Sequence, residues 1–344
     1  MRVLIADGHD VRVMEPAQSW SRENLLAEHG VQAHQSFAEQ FPMLADKVTI
    51  MDGELDEALD GADVVLVHEW NEPALVAEIG AKRAQGGRFT LLFHDTHHRM
   101  VSEPDAMARY DLSAYDGVLA FGEALSEAYR RYGWGERVFT WHEAADTDLF
   151  HPPETALSRD GAVWIGNWGD GERSLEIREY MLDPAGAVGV PLDIYGVRYP
   201  EEAKLELARR GIRYHGWAAN ARAPDIFARH LFTMHVPRRF YVSHLPGIPT
   251  IRIFEALACG IPLISAPWED VEHLFSPGSD FLQARTPSEM PSLMRDVIND
   301  DALRQALAAR GLQTVQARHS CAHRAQELLA IVDGLRRTQA KAAA

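Results

Sequence analysis

Between residues 62 and 133 the chain alternates short apolar runs with stretches whose apolar residues recur every three or four positions. The runs are "ADVVLVH" (62–68), "RFTLLFHD" (88–95) and "YDGVLAFG" (115–122), and the periodic stretches are "EPALVAEIGAKRAQGG" (72–87) and "EALSEAYRRYG" (123–133). Apolar runs of this length between amphipathic helices predict strands buried on both faces of a parallel sheet. Upstream, "DVRVME" (10–15) predicts a strand and "WSRENLLAEHG" (20–30) a helix. The turn residues and Pro-Pro of "ADTDLFHPPETALSRDG" (145–161) interrupt this rhythm.

The alternation then restarts: strand "AVWIGNW", helix "SLEIREYML", strand "PLDIYGV", helix "PEEAKLELARRG", strand "IRYHGW", helix "APDIFARHL", strand "FTMHVP", a helix over 250–259 and strand "PLISAP". Three helices follow (288–299, 301–317 and 320–338), and the tail "TQAKAAA" is expected to fray. The expected organisation is a Rossmann-like domain over 1–148 and a second over 149–320. A C-terminal helix over 321–344 would pack back on the first. Two such domains facing each other place ligands in the cleft, at the carboxyl ends of the strands.

Composition narrows the partners. The chain has 344 residues, 46% of them hydrophobic, and a formal net charge of −16, which disfavours non-specific attraction to nucleic acid or anionic lipid. No apolar run is long enough to span a bilayer, and no basic segment with an apolar h-region opens the chain, so a cytoplasmic protein is expected. Two cysteines, Cys259 and Cys321, fit a reducing compartment. "HDTHH" (94–98) is the one histidine cluster, and with no distant partner in sight it is a weak metal signal, so no metal is expected.

"LPGIPTIRIFEALACGIPLISAPW" (245–268) places a helix behind a Gly/Pro loop, with Thr250 as N-cap after Pro249. Its free amides and dipole suit a diphosphate. Arg252 and Glu255, at i and i+3, share its polar face; read alone, they also fit a salt bridge on a solvated edge. "HVPRRFYVSH" sets Arg238 and Arg239 after a strand, where planar guanidinium groups can neutralise a leaving diphosphate without a metal. "WIGNWGDGERS" (164–174) lets a phosphate or sugar approach the backbone at Gly166 and Asn167. In "LLFHDTHHRM", His94 and Asp95 end an apolar strand, and a histidine there can act as general base or hydrogen-bond a sugar.

"IFEALACGIPLISAP", with "HVPRRFY" before it and "PGSDFLQA" and "HSCAHRAQELL" after it, resembles the donor-binding domain of GT-B glycosyltransferases of the family 4 type, most closely the CgeB-like, spore-maturation-protein branch. The likeness extends over roughly 110–335 and is strongest over 230–335. It implies that Glu255 accepts hydrogen bonds from the donor ribose and that Arg252 and the amides near Thr250 lie beside the diphosphate. Arg173 falls where the family often carries a basic residue for that diphosphate. "YHGWAANARAPDIF" (214–227) is similar to the nucleobase-receiving segment, with Gly216 and Trp217 as walls. The likeness favours His94 over His97 and His98. "TWHEAADTDLF" (140–150) marks the hinge. Two departures stand out. The family's first glutamate, separated from the second by seven intervening residues, would fall at 247, where the loop has Gly247. "GHDVRVMEP" begins at Gly8, so the first strand-helix unit is either truncated or reduced to "MRVLIA".

The resemblance implies a metal-independent, hexosyltransferase-like glycosyltransferase with a nucleotide-sugar donor. The acceptor, a glycan, small molecule or protein, is not identified. Retention is the family expectation, and inversion with His94 or Asp95 as base also fits. Four lysines (Lys47, Lys82, Lys204 and Lys341), none in a suitable motif, argue against a pyridoxal-dependent phosphorylase. A sugar-nucleotide epimerase, and a degenerate GT-B protein that binds a sugar nucleotide or a protein without turnover, stay open.

Overall fold

The computed structural model describes residues 1–16, 23, 38–39, 41–51, 55–134, 137–155, 157–169 and 171–343; the expected helix 20–30 lies outside them except for Glu23. Its contacts divide into two units, one of residues 1–93, 110–116 and 332–344, the other of 94–109 and 117–331.

In the first unit, "MRVLIA" is a short helix (Arg2–Ala6) with no buried residue. Strand β1 (Val13–Pro16) pairs in parallel with β2 (Val48–Met51). Strand β3 (Val64–His68) and the start of β4 (Thr90–Asp95) flank helix α1 (Pro73–Ala84) in sequence. Proline occupies the first turn of α1, where no helical N–H is needed, and Lys82 and Arg83 sit in its last turn, where they complement the dipole. Asp116 ties the unit together: it accepts from Arg83 (3.1 Å), from the Leu91 N–H (2.7 Å) and from Gln339 in the C-terminal helix (2.6 Å). That helix (Cys321–Ala343) stays regular through the "TQAKAA" stretch.

The second unit holds β5 (Gly117–Ala120), paired in parallel with β6 (Val138–Thr140). Between β5 and β6 lies helix α2 (Glu123–Tyr129). The same unit carries a six-stranded parallel sheet of β7 (Ala162–Ile165), β8 (Leu192–Tyr195), β9 (Arg213–Tyr214), β10 (Phe232–His235), β11 (Leu263–Ser265) and β12 (Leu282–Gln283), ordered β12-β11-β10-β7-β8-β9. The chain starts in the middle at β7, walks out to β9, then returns to β10 and walks the other way. Loops leaving β7 and β10 therefore diverge at a topological switch point, where open α/β sheets hold ligands.

The apolar runs are continuous because both faces of this sheet are covered. Ala162, Trp164, Phe232 and Met234 face a core with Ile177, Leu207 and Met294, whereas Val163, Ile165 and Leu263 face Phe227, Phe254 and Leu257. Helix α3 (Ile251–Ala258) lies on the second face, which is why it is apolar nearly all round.

One charge is buried in β8. Asp193, 6% exposed, accepts from Arg213 Nε (2.7 Å), and its oxygens lie 2.6 Å from His215 Nε2 and 3.1 Å from His230 Nε2. Burial raises its pKa, but the hydrogen bonds from Arg213, His215 and His230 outweigh that and hold the carboxyl far below the usual range. A depressed carboxyl pKa stabilises the fold above the unfolded value of about 3.9 and loses that contribution as pH falls below it. Asp193→Asn is expected to lower unfolding free energy by about 1–3 kcal/mol at pH 6–7, a figure moderated by the exposure of Arg213. In urea titrations the gap from wild type should narrow below about pH 4; a gap independent of pH would refute the assignment.

Candidate active site

The start of α3 carries a closed polar triangle. Thr250 is the N-cap in extended conformation, and its side chain makes no capping hydrogen bond. Arg252 donates to Glu255 Oε2 (2.5 Å) and to Asn220 Oδ1 (2.9 Å), and Asn220 Nδ2 donates to Glu255 Oε1 (2.8 Å). Glu255 is 2% exposed, so the pair is not a salt bridge on a solvated edge. Burial raises the Glu255 pKa, opposed by Arg252 and Asn220. Sequence reasoning singled out Arg252 and Glu255 but not Asn220, which opens a one-turn 3₁₀ helix in the segment read for Gly216 and Trp217. Gly216 adopts φ +72° with open space at its Cβ position, and Trp217 is 37% exposed, so both face outward in that segment.

At the switch point the loop after β7 meets the residues after β10. Gly166 offers its carbonyl to Trp164 Nε1 (3.0 Å) and the Tyr199 hydroxyl (2.9 Å), and a Cβ there would come within 2.7 Å of the Trp164 ring. Asn167 gives its carbonyl to Arg173 (2.8 Å), and Arg173 also donates to the Val236 carbonyl (3.0 Å) and lies over Trp164 at 5.0 Å. Burial, with Arg238 nearby, lowers the Arg173 pKa to about 10. Arg173 braces the loop against β10. Arg238 donates to Glu172 Oε2 (2.6 Å) and the Gly169 carbonyl (3.2 Å), and Arg239 donates to Glu176 (2.6 Å) and the Gly171 carbonyl (2.8 Å). Each arginine after β10 thus holds a glutamate of the first loop and helix.

The histidine cluster divides. The His94 ring stands edge-on to Trp141 at 4.8 Å. Asp95 is fully buried and accepts from the Tyr129 hydroxyl (2.7 Å) and the His97 N–H (2.9 Å), so its carboxylate is committed internally. Burial, then neighbouring His98, lowers the His97 pKa to about 3. His98 is the member that reaches the arginines: it stacks on Phe240 (4.9 Å), and its Nε2 lies 3.2 Å from Glu172. Contacts such as these, between residues 74 and 142 positions apart, leave no local signal.

Gly247 adopts φ +90°, and a Cβ there would lie 2.7 Å from Val271 Cγ2 and 3.1 Å from Glu272 Cγ. A side chain at 247 has no room because Glu272 fills the space. The Glu272 carboxylate accepts from the Glu123 N–H (2.9 Å) and lies 2.6 Å from His142 Nε2. Ile248 presses on Gly122, where an added Cβ would approach to 2.3 Å. The loop before α3 is thereby fixed to the start of α2.

Among the described residues no group of histidine, cysteine, aspartate or glutamate could hold a metal ion.

Residues 173–330 match the family model described as glycosyl transferase-like. A comparison with curated proteins finds no match. Among solved structures, the fold is similar to Anabaena Alr3699/HepE in complex with UDP-glucose (TM-score 0.62, 15% identity, 96% of this chain and 99% of that one). It is also similar to sucrose-phosphate synthase from Thermosynechococcus elongatus (0.58, 16%, 92% and 80%) and to T4 phage BGT in complex with UDP-glucose (0.54, 10%, 95% and 96%). The chain therefore has the GT-B fold, with residues 173–330 matching the glycosyl transferase-like family.

Proposed function

We propose that this chain is a glycosyltransferase that moves a hexosyl group from a nucleotide-sugar donor to a hydroxyl acceptor. The triangle of Asn220, Arg252 and Glu255 carries the reading. A buried carboxylate is expensive unless hydrogen-bonded, and each of its oxygens has two acceptor positions. Glu255 spends one position of each oxygen on Asn220 and Arg252, which leaves one of each for the two ribose hydroxyls.

Arg238 and Arg239, the amides near Thr250, and Arg252 would hold the diphosphate, while Trp217 and Gly216 would receive the base. Arginines opposite the leaving group stabilise the charge that develops as the glycosyl bond breaks, so metal-independent transfer fits this residue set. Two of the similar structures are complexes with UDP-glucose, which makes UDP the first nucleotide to test. Retention is the stereochemical course in this reading. His94 would hydrogen-bond the sugar, with Trp141 fixing its ring. A cytoplasmic location fits: no described helix is long and apolar enough to cross a membrane. The acceptor class stays open.

A thermal-shift comparison of UDP, GDP, ADP, dTDP and CMP should single out one nucleotide, since a ligand of the folded state raises Tm by mass action. By calorimetry, Glu255→Ala is expected to weaken that nucleotide at least tenfold, ~1.4 kcal/mol. Unchanged affinity would sink the ribose assignment. For His94→Ala, slow hydrolysis of the matching sugar nucleotide should fall by about 10²-fold or more with nucleotide affinity nearly kept. An undiminished rate would remove His94 from the reacting centre. Binding without any turnover in wild type would favour the degenerate GT-B protein that binds a sugar nucleotide without turnover.

A further inference from the structure

The diphosphate subsite proposed above already contains an anion. Glu172 Oε2 sits 2.6 Å from Arg238 NH1, and the backbone of the same residue accepts from the Arg239 N–H (3.2 Å). The pair is sheltered: the Arg238 side chain is 15% exposed and that of Glu172 25%. A phosphate oxygen would need the guanidinium face that this carboxylate holds.

His98 supplies an alternative place for the carboxylate. Its side chain is 2% exposed, and its Nε2 lies 3.2 Å from Glu172 Oε2 with no settled hydrogen-bond partner among the described residues. His98 Nδ1 lies 2.9 Å from the Ser102 hydroxyl. A neutral ring that accepts from Ser102 at Nδ1 presents an N–H at Nε2, toward Glu172. Burial lowers the His98 pKa against the pull of Glu172, which favours the neutral ring. Leaving a buried N–H unmade is unfavourable, so turning Glu172 from Arg238 onto His98 exchanges one hydrogen bond for another.

We propose that Glu172 is a selectivity residue of the diphosphate subsite: its carboxylate stands in for a phosphate oxygen on Arg238 and is displaced onto His98 when a diphosphate binds. The inference rests on the proposed function for the role of Arg238. Neighbouring charges sharpen the selectivity. Two of the guanidinium groups here are matched by carboxylates, Arg238 by Glu172 and Arg239 by Glu176. A sugar nucleotide carries about one negative charge per phosphorus and a free nucleoside diphosphate more, because its terminal phosphate bears about 1.5–2. A carboxylate kept in the subsite therefore disfavours the product more than the donor, and that speeds its release.

Calorimetry with UDP, UDP-glucose and inorganic pyrophosphate tests this. Glu172→Gln is expected to bind UDP and pyrophosphate about five to tenfold more tightly than wild type, with a smaller gain for UDP-glucose. His98→Phe keeps the stack on Phe240 but removes the receiving N–H. It should weaken UDP several-fold alone and leave it unchanged when combined with Glu172→Gln. A loss of equal size in both backgrounds would mark His98 as merely structural and overturn the exchange. If Glu172→Gln fails to fold, Glu172→Asp, one methylene too short for Arg238, should show the same tightening. Wild type that binds UDP while the position 172 variants bind it no better would refute the Glu172 inference and leave the proposed function standing. Absence of UDP and pyrophosphate binding in wild type and variants alike would refute both.

Discussion

The burial of the Glu255 carboxylate at the start of α3 is the constraint from which the rest of the site follows. A carboxylate buried in an apolar helix face is tolerated only when its oxygens are hydrogen-bonded, and Asn220 and Arg252 each bond one of them. That requirement fixes the 3₁₀ turn at Asn220 against α3, and with it the outward placement of Gly216 and Trp217. It also commits Arg252 to the helix rather than to solvent. Everything proposed for the nucleotide is an extension of one electrostatic solution already present in the protein.

The same logic governs the switch point. Loops leaving β7 and β10 bring three guanidinium groups together, an arrangement that repels itself unless anions or carbonyl oxygens intervene. The fold answers in two ways. Arg173 turns inward onto backbone carbonyls and the Trp164 ring, whereas Arg238 and Arg239 take up Glu172 and Glu176. The first is permanent, since Arg173 is buried; the second pair lies where solvent and ligands can compete. In the proposed reading, only the second kind is exchanged for a diphosphate.

How much of this was legible in the sequence depends on the range of the interaction. Apolar runs gave β3, β4, β5, β7, β8, β10 and β11, because strands covered on both faces read as continuous hydrophobic segments. Thr250 and Pro249 marked the start of α3 to the residue. The helix at "SLEIREYML" was visible, but not that its second turn widens into a π-helix over Arg178–Leu182, and "IRYHGW" is a strand only at Arg213–Tyr214. Arg252 and Glu255 were readable since their contact is three residues long. Asn220 with Glu255, Glu172 with Arg238 and Glu272 with His142 are separated by 35, 66 and 130 positions, and no spacing rule reports a pair at such range. His94 stood out through its place at a strand end, while His98, four residues on, depends on where the β7 loop arrives.

Gly247 shows why a missing side chain is a statement about its neighbours. In the sequence it reads as the loss of a glutamate. In the structure its left-handed backbone and the proximity of Val271 and Glu272 leave no room for any side chain. Glu272 itself lies within a tight turn in which Asp270 accepts from the Leu274 and Phe275 N–H groups, and His273 adopts a positive φ of 54°. A non-glycine residue in that region carries strain, and it persists where surrounding contacts outweigh it. Here those contacts are the Glu123 N–H and His142, which hold the Glu272 carboxylate between Gly122 and Gly247. Placing a glutamate at 247 would displace Val271 and Glu272, release Ile248 from Gly122 and loosen the loop that sets the start of α3. The glycine and the distant glutamate are thus one feature, and the loop geometry that presents Thr250 depends on both.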